Sequence, residues 1–252
     1  MSFNVSADAY DRFMGRYSRL LSPQMAGFAG VERGQRVIDV GCGPGALTAE
    51  LVGRLGPDAV AAVDPSEPFV DAAREGNPGV TVLHASAEDL PFPDGEFDAA
   101  IAQLVVHFMS DPVAGLAEMA RVTRKGGVVA ACVWDHAGDQ GPLSLFWEAA
   151  RALTPGVHDE SGLAGAREGH LEELFEAAGL RDIEGTTLSA RLEHATFEEW
   201  WEPFTGGVGP AGAYVASLDP EGQTRLREQC RSLVPVEPFV LTSRAWAARA
   251  LV

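Results

Sequence analysis

Residues Val37-Ile-Asp-Val-Gly-Cys-Gly-Pro-Gly-Ala46 carry the clearest fold signal of this chain. Its first residues, Val37, Ile38 and Val40, form a β-branched apolar run that is typical of a buried strand. Three glycines follow, and they permit backbone angles that a side chain would hinder. From Ala46 onward the leucines recur every fourth residue, which indicates a helix. A strand, a bare turn and a free helix N-terminus together predict a site where a ligand contacts the main chain.

Short strands and helices alternate after this stretch. We predict further strands at about residues 59–64, 80–84, 97–103, 128–134, 183–192 and 239–250. This alternation predicts an α/β fold with a parallel sheet and helices on both faces, and such sheets bind ligands at the carboxyl ends of their strands. The helix before the fifth strand is expected to end at Lys125-Gly126-Gly127, because a cation followed by glycine is common at helix C-termini.

The first 30 residues carry apolar side chains at spacings of three and four, which predict a helix with a break at Ser22-Pro23. Arginines at positions 12, 16 and 19 interleave with this apolar face. Two interpretations stay open: a docking helix with solvated arginines, or a lid whose Tyr10 or Arg16 reaches a ligand carboxylate.

We expect one domain over residues 1–252, with a helical lid at 1–30 and cap insertions at 135–170 and 195–235. The first insertion is rich in Gly, Asp and Pro. A long loop segment inside a compact domain usually has a function. The second contains the capping-box pattern Thr196-Phe-Glu-Glu199, which begins a helix that carries Trp200 and Trp201.

Charge and composition narrow the class of partner. The formal net charge of −17 argues against nucleic acid and against an anionic membrane surface. No apolar run is long enough to span a bilayer and the N-terminus does not resemble a signal peptide, so we expect a cytoplasmic protein with a small-molecule substrate. The three cysteines are widely separated and suggest no metal site. Cys42, in the glycine turn, is either a small filler or a reactive thiol.

Two carboxylates decide which ligand the turn suits. Gly41-x-Gly43-x-x-Ala46 matches the dinucleotide pattern, and Asp64, at the end of the second strand, can accept both hydroxyls of a ribose. Asp39, however, would repel a pyrophosphate at the turn. S-adenosylmethionine carries an ammonium and a sulfonium, and both would be attracted to this carboxylate. Its own carboxylate would bind at the positive N-terminus of the helix.

Three motifs together resemble the class I S-adenosylmethionine-dependent methyltransferases, in particular the small-molecule branch that includes the ubiquinone/menaquinone biosynthesis enzymes. The motifs are Asp39–Gly45, Val63-Asp-Pro-Ser66 and the segment Ala85–Asp98. The resemblance is strong over about residues 36–134. It implies a Rossmann-like seven-stranded sheet in the order 3-2-1-4-5-7-6, with the last strand antiparallel, helices on both faces and a helical cap. The family often has Leu-Lys-Pro-Gly-Gly before strand five, where this chain has Thr-Arg-Lys-Gly-Gly127.

The resemblance also implies roles for single residues toward S-adenosylmethionine. Gly41, Gly43 and Pro44 would line the methionyl part, and Asp64 would hold the ribose. The adenine would lie beside Pro65 and meet Ser86, Ala87 and either Glu88 or Asp89. Gln103, at the end of strand four, would face the methionyl or sulfonium end.

Sequence motifs indicate less about the residues that would bind the methyl acceptor. Displacement at a sulfonium needs mainly alignment, and a base only if the nucleophile carries a proton. His107 is the best candidate base, and it is alternatively a packed pocket wall. Trp134, His136, Trp147 and Trp201 are candidate substrate contacts, although Trp147 and the Trp200-Trp201 pair suit an ordinary core equally well.

The sequence therefore predicts a methyltransferase that acts on a small molecule. One rival is an NAD-dependent oxidoreductase, which the glycine pattern favours and Asp39 disfavours. No Tyr-x-x-x-Lys pair is present to protonate a carbonyl. The other rival is a non-catalytic protein that binds S-adenosylmethionine. The methyl acceptor, the atom methylated and the oligomeric state stay open.

Overall fold

The stretch from Val37 to Ala46 folds as the pattern predicts. Strand β1, Val37–Val40, is buried along its whole length and is followed by helix α3, Ala46–Leu55. In the turn between them Gly41, Gly43 and Gly45 have φ of 73°, 53° and 97°, a region that only glycine enters readily. This computed structural model describes residues 7–252, so the first six residues of the predicted lid lie outside the described residues.

The described residues form a seven-stranded sheet in the order β3-β2-β1-β4-β5-β7-β6. The strands pair in parallel except for β7, which runs antiparallel to both β5 and β6. The predicted strand order is therefore confirmed. The other strands are β2 Val60–Asp64, β3 Thr81–His84, β4 Phe97–Gln103, β5 Thr123–Trp134, β6 Arg181–His194 and β7 Phe239–Leu251.

Helices cover both faces of the sheet and build a separate layer beside it. Short 3₁₀ turns lie at Pro57–Ala59, Val106–Phe108 and Glu202–Gly206, and a π-helical segment spans Asp11–Gly15. The other helices are α1 Ala7–Tyr10, α2 Arg16–Phe28, α4 Glu67–Gly76, α5 Pro112–Val122, α6 Ser144–Leu153, α7 His170–Ala177, α8 Phe197–Trp201, α9 Gly209–Ser217 and α10 Pro220–Leu233.

The expected break at Ser22-Pro23 is wrong, because α2 continues through Pro23 to Phe28. A proline inside a helix removes one hydrogen bond and costs about 3 kcal/mol. The residues on either side are packed, and the side chains of Leu21, Met25 and Ala26 are fully buried. Tertiary packing therefore outweighs the local signal, as it commonly does for helices.

The expected helix end at Lys125-Gly126-Gly127 is also wrong. Helix α5 ends at Val122, and residues 123–127 extend strand β5 instead. A Cβ on Gly127 would lie 2.6 Å from the carbonyl oxygen of Asp98 on the neighbouring strand. The glycine therefore permits close approach of two strands, which is a different use from the end of a helix.

Three large apolar clusters fill the interior. Two of them pack on the opposite faces of the sheet, around Ile38 and Phe97 on one face and Val37 and Ile101 on the other. The third, called here the cap cluster, joins Phe13 and Met14 to helices α6, α8, α9 and α10. No helix among residues 7–252 is both long enough and apolar enough to cross a membrane.

Candidate active site

A cleft of about 670 Å³ opens where the sheet order reverses, at the carboxyl ends of β1, β2 and β4. This is the place where open α/β sheets bind ligands. Eleven of the twelve residues predicted to bind a cofactor line it, and Arg16 is the exception. The eleven are Tyr10, Asp39, Gly41, Gly43, Pro44, Asp64, Pro65, Ser86, Ala87, Glu88 and Gln103.

Arg16 lies away from this cleft. Its guanidinium forms an ion pair with Glu199 of α8, and it lines a small cavity under the cap cluster. Arg19 lines the cleft in its place and pairs with Asp11. The expectation that Arg16 reaches a ligand carboxylate in this cleft therefore does not match its position.

At two of its glycines the turn leaves no room for a side chain. A Cβ on Gly41 would lie 2.5 Å from both methyl carbons of Val105, and one on Gly45 would lie 2.6 Å from the amide nitrogen of Asn77. Gly43 is open, and in the described part of the chain only Tyr10 lies within 4 Å of an added Cβ. A ligand can therefore approach the main chain at Gly43, while the other two glycines let the turn pack.

Asp64 fastens this turn to the end of β2. Its two carboxylate oxygens accept hydrogen bonds from the backbone N–H groups of Gly43 and Ser66, each at 2.8 Å. Burial raises the pKa of Asp64, and the two amides oppose that rise. Each carboxylate oxygen has two lone pairs, so both can still accept a ligand hydroxyl. Asp64 thus couples the shape of the turn to the ligand.

Asp39 is a buried carboxylate at the end of β1, only 1% exposed. The hydroxyl of Thr48, in the first turn of α3, donates to its Oδ2 at 2.6 Å. Burial raises the pKa of Asp39 to about 7, and the hydrogen bond from Thr48 opposes this. Such a group gains from a neighbouring cation, because an opposite charge favours its ionised form.

The charge of the cleft excludes a polyphosphate more readily than a cation. Of the described residues that line it, five carry carboxylates and one, Arg19, carries a guanidinium. The carboxylates are those of Asp11, Asp39, Asp64, Glu67 and Glu88. A pyrophosphate at the glycine turn would face Asp39 and Asp64, so like charges would repel it.

Two further groups suit a zwitterion at the methionyl end. Helix α3 begins at the cleft without a side-chain cap, so its first N–H groups can receive a carboxylate. Gln103 donates its amide N–H groups to the carbonyl oxygen of Ser18 and the hydroxyl of Ser22, while its buried Oε1 has no partner among residues 7–252. An ammonium group would supply the missing donor, so S-adenosylmethionine fits the residues present.

Several cleft residues were not anticipated from the sequence. Phe69 of α4 packs its ring 5.1 Å from that of Tyr10, so the N-terminal segment closes over the cleft at this point. Leu104, directly after β4, also lines the cleft and has a φ of 63°. A positive φ is uncommon for residues other than glycine, and strained positions of this kind cluster at functional sites.

A second cavity, called here the chamber, lies between the cleft and the cap cluster. Its volume is about 30 Å³, and it adjoins the cleft because Tyr10, Leu104 and Phe108 line both. The chamber, not the cleft, contains His107, together with Trp134 and His136. Three of the predicted acceptor-side residues therefore come together here.

The other two tryptophans predicted to touch substrate do not line the chamber. Trp147 packs in the cap cluster behind Glu160, and its indole N–H donates to that carboxylate at 2.8 Å. Trp201 is buried in the same cluster. Glu160 itself lines the chamber and was not singled out from the sequence. Its burial raises its pKa to about 7, against the hydrogen bond from Trp147.

Comparison with known proteins agrees with this geometry. Residues 38–131 match the family described as "Methyltransferase domain". A 2-methyl-6-phytyl-1,4-hydroquinone methyltransferase from Oryza sativa subsp. japonica is 35% identical over 150 residues, which cover 59% of this chain and 39% of the relative. A malonyl-[acyl-carrier protein] O-methyltransferase from Serratia marcescens is 33% identical over 129 residues, or 49% of this chain and 50% of the relative.

The fold is shared with solved structures of low sequence identity. Geranyl diphosphate methyltransferase in complex with S-adenosylmethionine superimposes with a TM-score of 0.54 at 17% identity, over 93% of this chain and 85% of that one. Residues 38–131 thus resemble a methyltransferase domain, and the predicted resemblance to class I S-adenosylmethionine-dependent methyltransferases is confirmed. The chain spans half or less of the length of the Oryza sativa and Serratia marcescens relatives.

Proposed function

We propose that this protein transfers a methyl group from S-adenosylmethionine to a small-molecule acceptor. The observation that carries the proposal is the carboxylate-lined cleft at the switch in strand order, where Asp39 and Asp64 flank a glycine turn and an uncapped helix N-terminus. These groups complement a ribose, an ammonium and a carboxylate at once. The match of residues 38–131 to a methyltransferase domain supports it.

Each part of the bound cofactor has residues suited to it. Asp64 accepts the ribose hydroxyls, and the adenine lies beside Pro65 with its edge toward residues 86–88. Asp39 and the Oε1 of Gln103 face the ammonium. Tyr10, which lines the cleft opposite Phe69, covers the bound molecule. Through Tyr10, the N-terminal segment acts as a lid over the cofactor in this proposal.

S-adenosylmethionine, when bound, supplies an electrophilic methyl group on a positively charged sulfur. The protein then has to align the acceptor and exclude water. The chamber lies on the far side of Tyr10, Leu104 and Phe108 from the cleft, which suits an in-line approach of the acceptor. In this proposal residues 135–170 and 195–235 form the cap above the chamber.

Binding measurements test the cofactor. We expect isothermal titration calorimetry to show binding of S-adenosylhomocysteine and none of NAD. Tight NAD binding without S-adenosylhomocysteine binding would favour the oxidoreductase instead. Incubation with S-adenosylmethionine labelled on its methyl group and a metabolite panel then separates an enzyme from a non-catalytic binding protein, since only the enzyme passes the label on.

The remaining expectations stay predictions. They are the cytoplasmic location and the absence of nucleic acid among the partners.

A further inference from the structure

The chamber contains unsatisfied polar atoms in an apolar enclosure. Three of its lining residues, Trp134, His107 and His136, are 2%, 8% and 7% exposed. The buried Nε1 of Trp134, Nδ1 of His107 and Nε2 of His136 find no hydrogen-bond partner within the described residues. An unpaired buried polar atom costs about 1–3 kcal/mol, so three around one small cavity point to a ligand that pairs with them.

The two imidazoles are neighbours and are neutral at physiological pH. Their ring centroids lie 5.9 Å apart. Burial lowers the pKa of His107 well below its usual value, and His136 adds to this effect. Burial also lowers the pKa of His136 to about 4, opposed by the charges of Asp135 and Asp159. Neutral imidazoles have a free lone pair, so each can accept a hydrogen bond.

The rest of the lining is apolar apart from Tyr10 and Glu160. No lysine or arginine occurs among the described residues that line the chamber. A phosphate or carboxylate on the acceptor would therefore be buried without a counter-charge, which is costly. The wall is instead suited to an aromatic or aliphatic body. It is formed by Phe13, Met14, Leu104, Phe108, Leu143 and Val208.

We propose that the chamber binds an uncharged, largely apolar acceptor through a hydroxyl group, and that His107 takes the proton of that hydroxyl during methyl transfer. The inference rests on the proposed methyltransferase function and names its acceptor class.

A hydroxyl group meets the unpaired atoms better than an ammonium does. It donates one hydrogen bond and accepts others. It can therefore donate to an imidazole nitrogen and accept from the indole N–H of Trp134. An ammonium has no lone pair for that N–H, so it would leave the indole unpaired.

The transfer step balances in atoms and charge. An oxygen lone pair of the acceptor forms the new C–O bond, the bond between carbon and sulfur breaks, and its electron pair stays on sulfur as S-adenosylhomocysteine forms. The hydroxyl proton passes to Nδ1 of His107. One positive charge leaves the sulfur and one appears on the imidazole, so the net charge of the site is unchanged.

The acceptor enters when the roof of the chamber moves. At about 30 Å³ the cavity has room for one or two water molecules. The roof is the start of α9, residues 208–211. Gly207 and Gly209 beside it have φ of 72° and 63°, and glycines in this region can absorb the rotation that opening requires.

Three probes of matched size test the acceptor class: 4-methylphenol, 4-methylbenzoate and 4-methylbenzylamine, each with methyl-deuterated S-adenosylmethionine. We expect mass spectrometry to find the label on the oxygen of the phenol and on neither of the other two. Preferred labelling of the carboxylate or the amine overturns the proposal. So does the absence of labelled phenol while the same protein binds S-adenosylhomocysteine.

The variant His107→Asn tests the proton acceptor, with His158→Asn, on the surface of the first insertion, as the matched control. General-base catalysis contributes about 100- to 10,000-fold, so we expect kcat at pH 7 to fall at least 100-fold in His107→Asn. The deficit should shrink toward pH 10, near which a phenol ionises without help. Equal kcat in the two variants, or a deficit that does not change with pH, overturns the role of His107.

The affinity for S-adenosylhomocysteine separates this inference from the proposed function. We expect calorimetry to give dissociation constants within about twofold for the wild type and both variants, because neither histidine lines the cleft. Loss of binding in the wild type would refute the methyltransferase function itself. Retained binding with the wrong probe labelled would refute only the acceptor class.

Discussion

Replacement of Asp64 by asparagine separates the two tasks that the structure gives this carboxylate. Asparagine keeps the shape of the side chain and one acceptor oxygen, but it has no charge. A hydrogen bond to a charged group contributes about 1.5–3 kcal/mol, which corresponds to roughly 10- to 150-fold in a dissociation constant. We expect the affinity for S-adenosylhomocysteine to fall by this factor, as measured by calorimetry.

Asp64→Ala should do more, because it also removes the acceptor of two backbone amides. The N–H groups of Gly43 and Ser66 would lose their bonds to the carboxylate, at about 1.5–3 kcal/mol each. We therefore expect the free energy of unfolding without ligand to fall by roughly 3–6 kcal/mol in the alanine variant. The asparagine variant should lose less, since it keeps one acceptor and no longer buries a charge.

Asp71→Asn is the matched control. Asp71 lies on α4, its side chain is 68% exposed, and it pairs with Arg74 on the surface. We expect no more than a twofold change in the dissociation constant, because an exposed ion pair contributes little. A folded Asp64→Asn protein that binds S-adenosylhomocysteine as tightly as this control would refute the assignment of Asp64 to the ribose.

Three further predictions follow from the same geometry. Asp39 holds its proton up to about pH 7 in the folded protein, so its contribution lowers the free energy of unfolding as pH rises from about 4 to 7. A bound ammonium favours the ionised carboxylate instead. Calorimetry should therefore show proton release near pH 6 and an affinity for S-adenosylhomocysteine that rises toward pH 7 and then levels off. Asp39→Asn should abolish the proton release. Gly41→Ala should destabilise by at least about 2 kcal/mol in chemical denaturation, because φ is 73° and the Cβ would lie 2.5 Å from two methyl carbons, whereas Gly53→Ala, with nothing within 4 Å, should not. Arg244→Met should lower the free energy of unfolding by about 3 kcal/mol, or the melting temperature by roughly 6–12 °C. The reason is that the buried carboxylate of Asp135 loses the guanidinium that pairs with it. An unchanged melting temperature would contradict a stabilising role for this ion pair.

Local sequence predicts the glycine turn and the parallel strands because their signals lie within a few residues. The run Val37–Val40, the glycines and the helix that follows are each readable alone, and the structure repeats them with shifts of a residue or so. The strand order came from the resemblance, since pairing between distant strands leaves no local pattern. Helix α9, Gly209–Ser217, was not predicted because its two glycines and its proline weaken the helical signal, and packing in the cap cluster stabilises it.

The position of Arg16 shows a second limit. Both Arg16 and Arg19 interleave with one apolar face in the sequence, yet only Arg19 lines the cleft. The segment Asp11–Gly15 is π-helical, and the wider turn rotates every residue after it relative to an α-helix. The partner of Arg16 is Glu199, which is distant in sequence. Neither the changed phase nor the distant partner can be read from the spacing of the arginines.

The candidate acceptor site combines residues from separate elements, so the sequence indicates the residues but not their arrangement. His107 follows β4 and His136 follows β5, and the pairing of these parallel strands brings the two rings to a centroid distance of 5.9 Å. Their chemistry depends on burial, which no single motif encodes. Glu160 joins them from the loop of the first insertion and was missed for the same reason.

A crystal structure with S-adenosylhomocysteine would show whether the cofactor occupies the cleft. We predict electron density for the ribose at the carboxylate of Asp64, for the amino group between Asp39 and Gln103, and for the sulfur on the side of the cleft that adjoins the chamber. Density for the ligand outside this cleft, or with its ribose away from Asp64, would contradict the assignment of the cleft as the cofactor site.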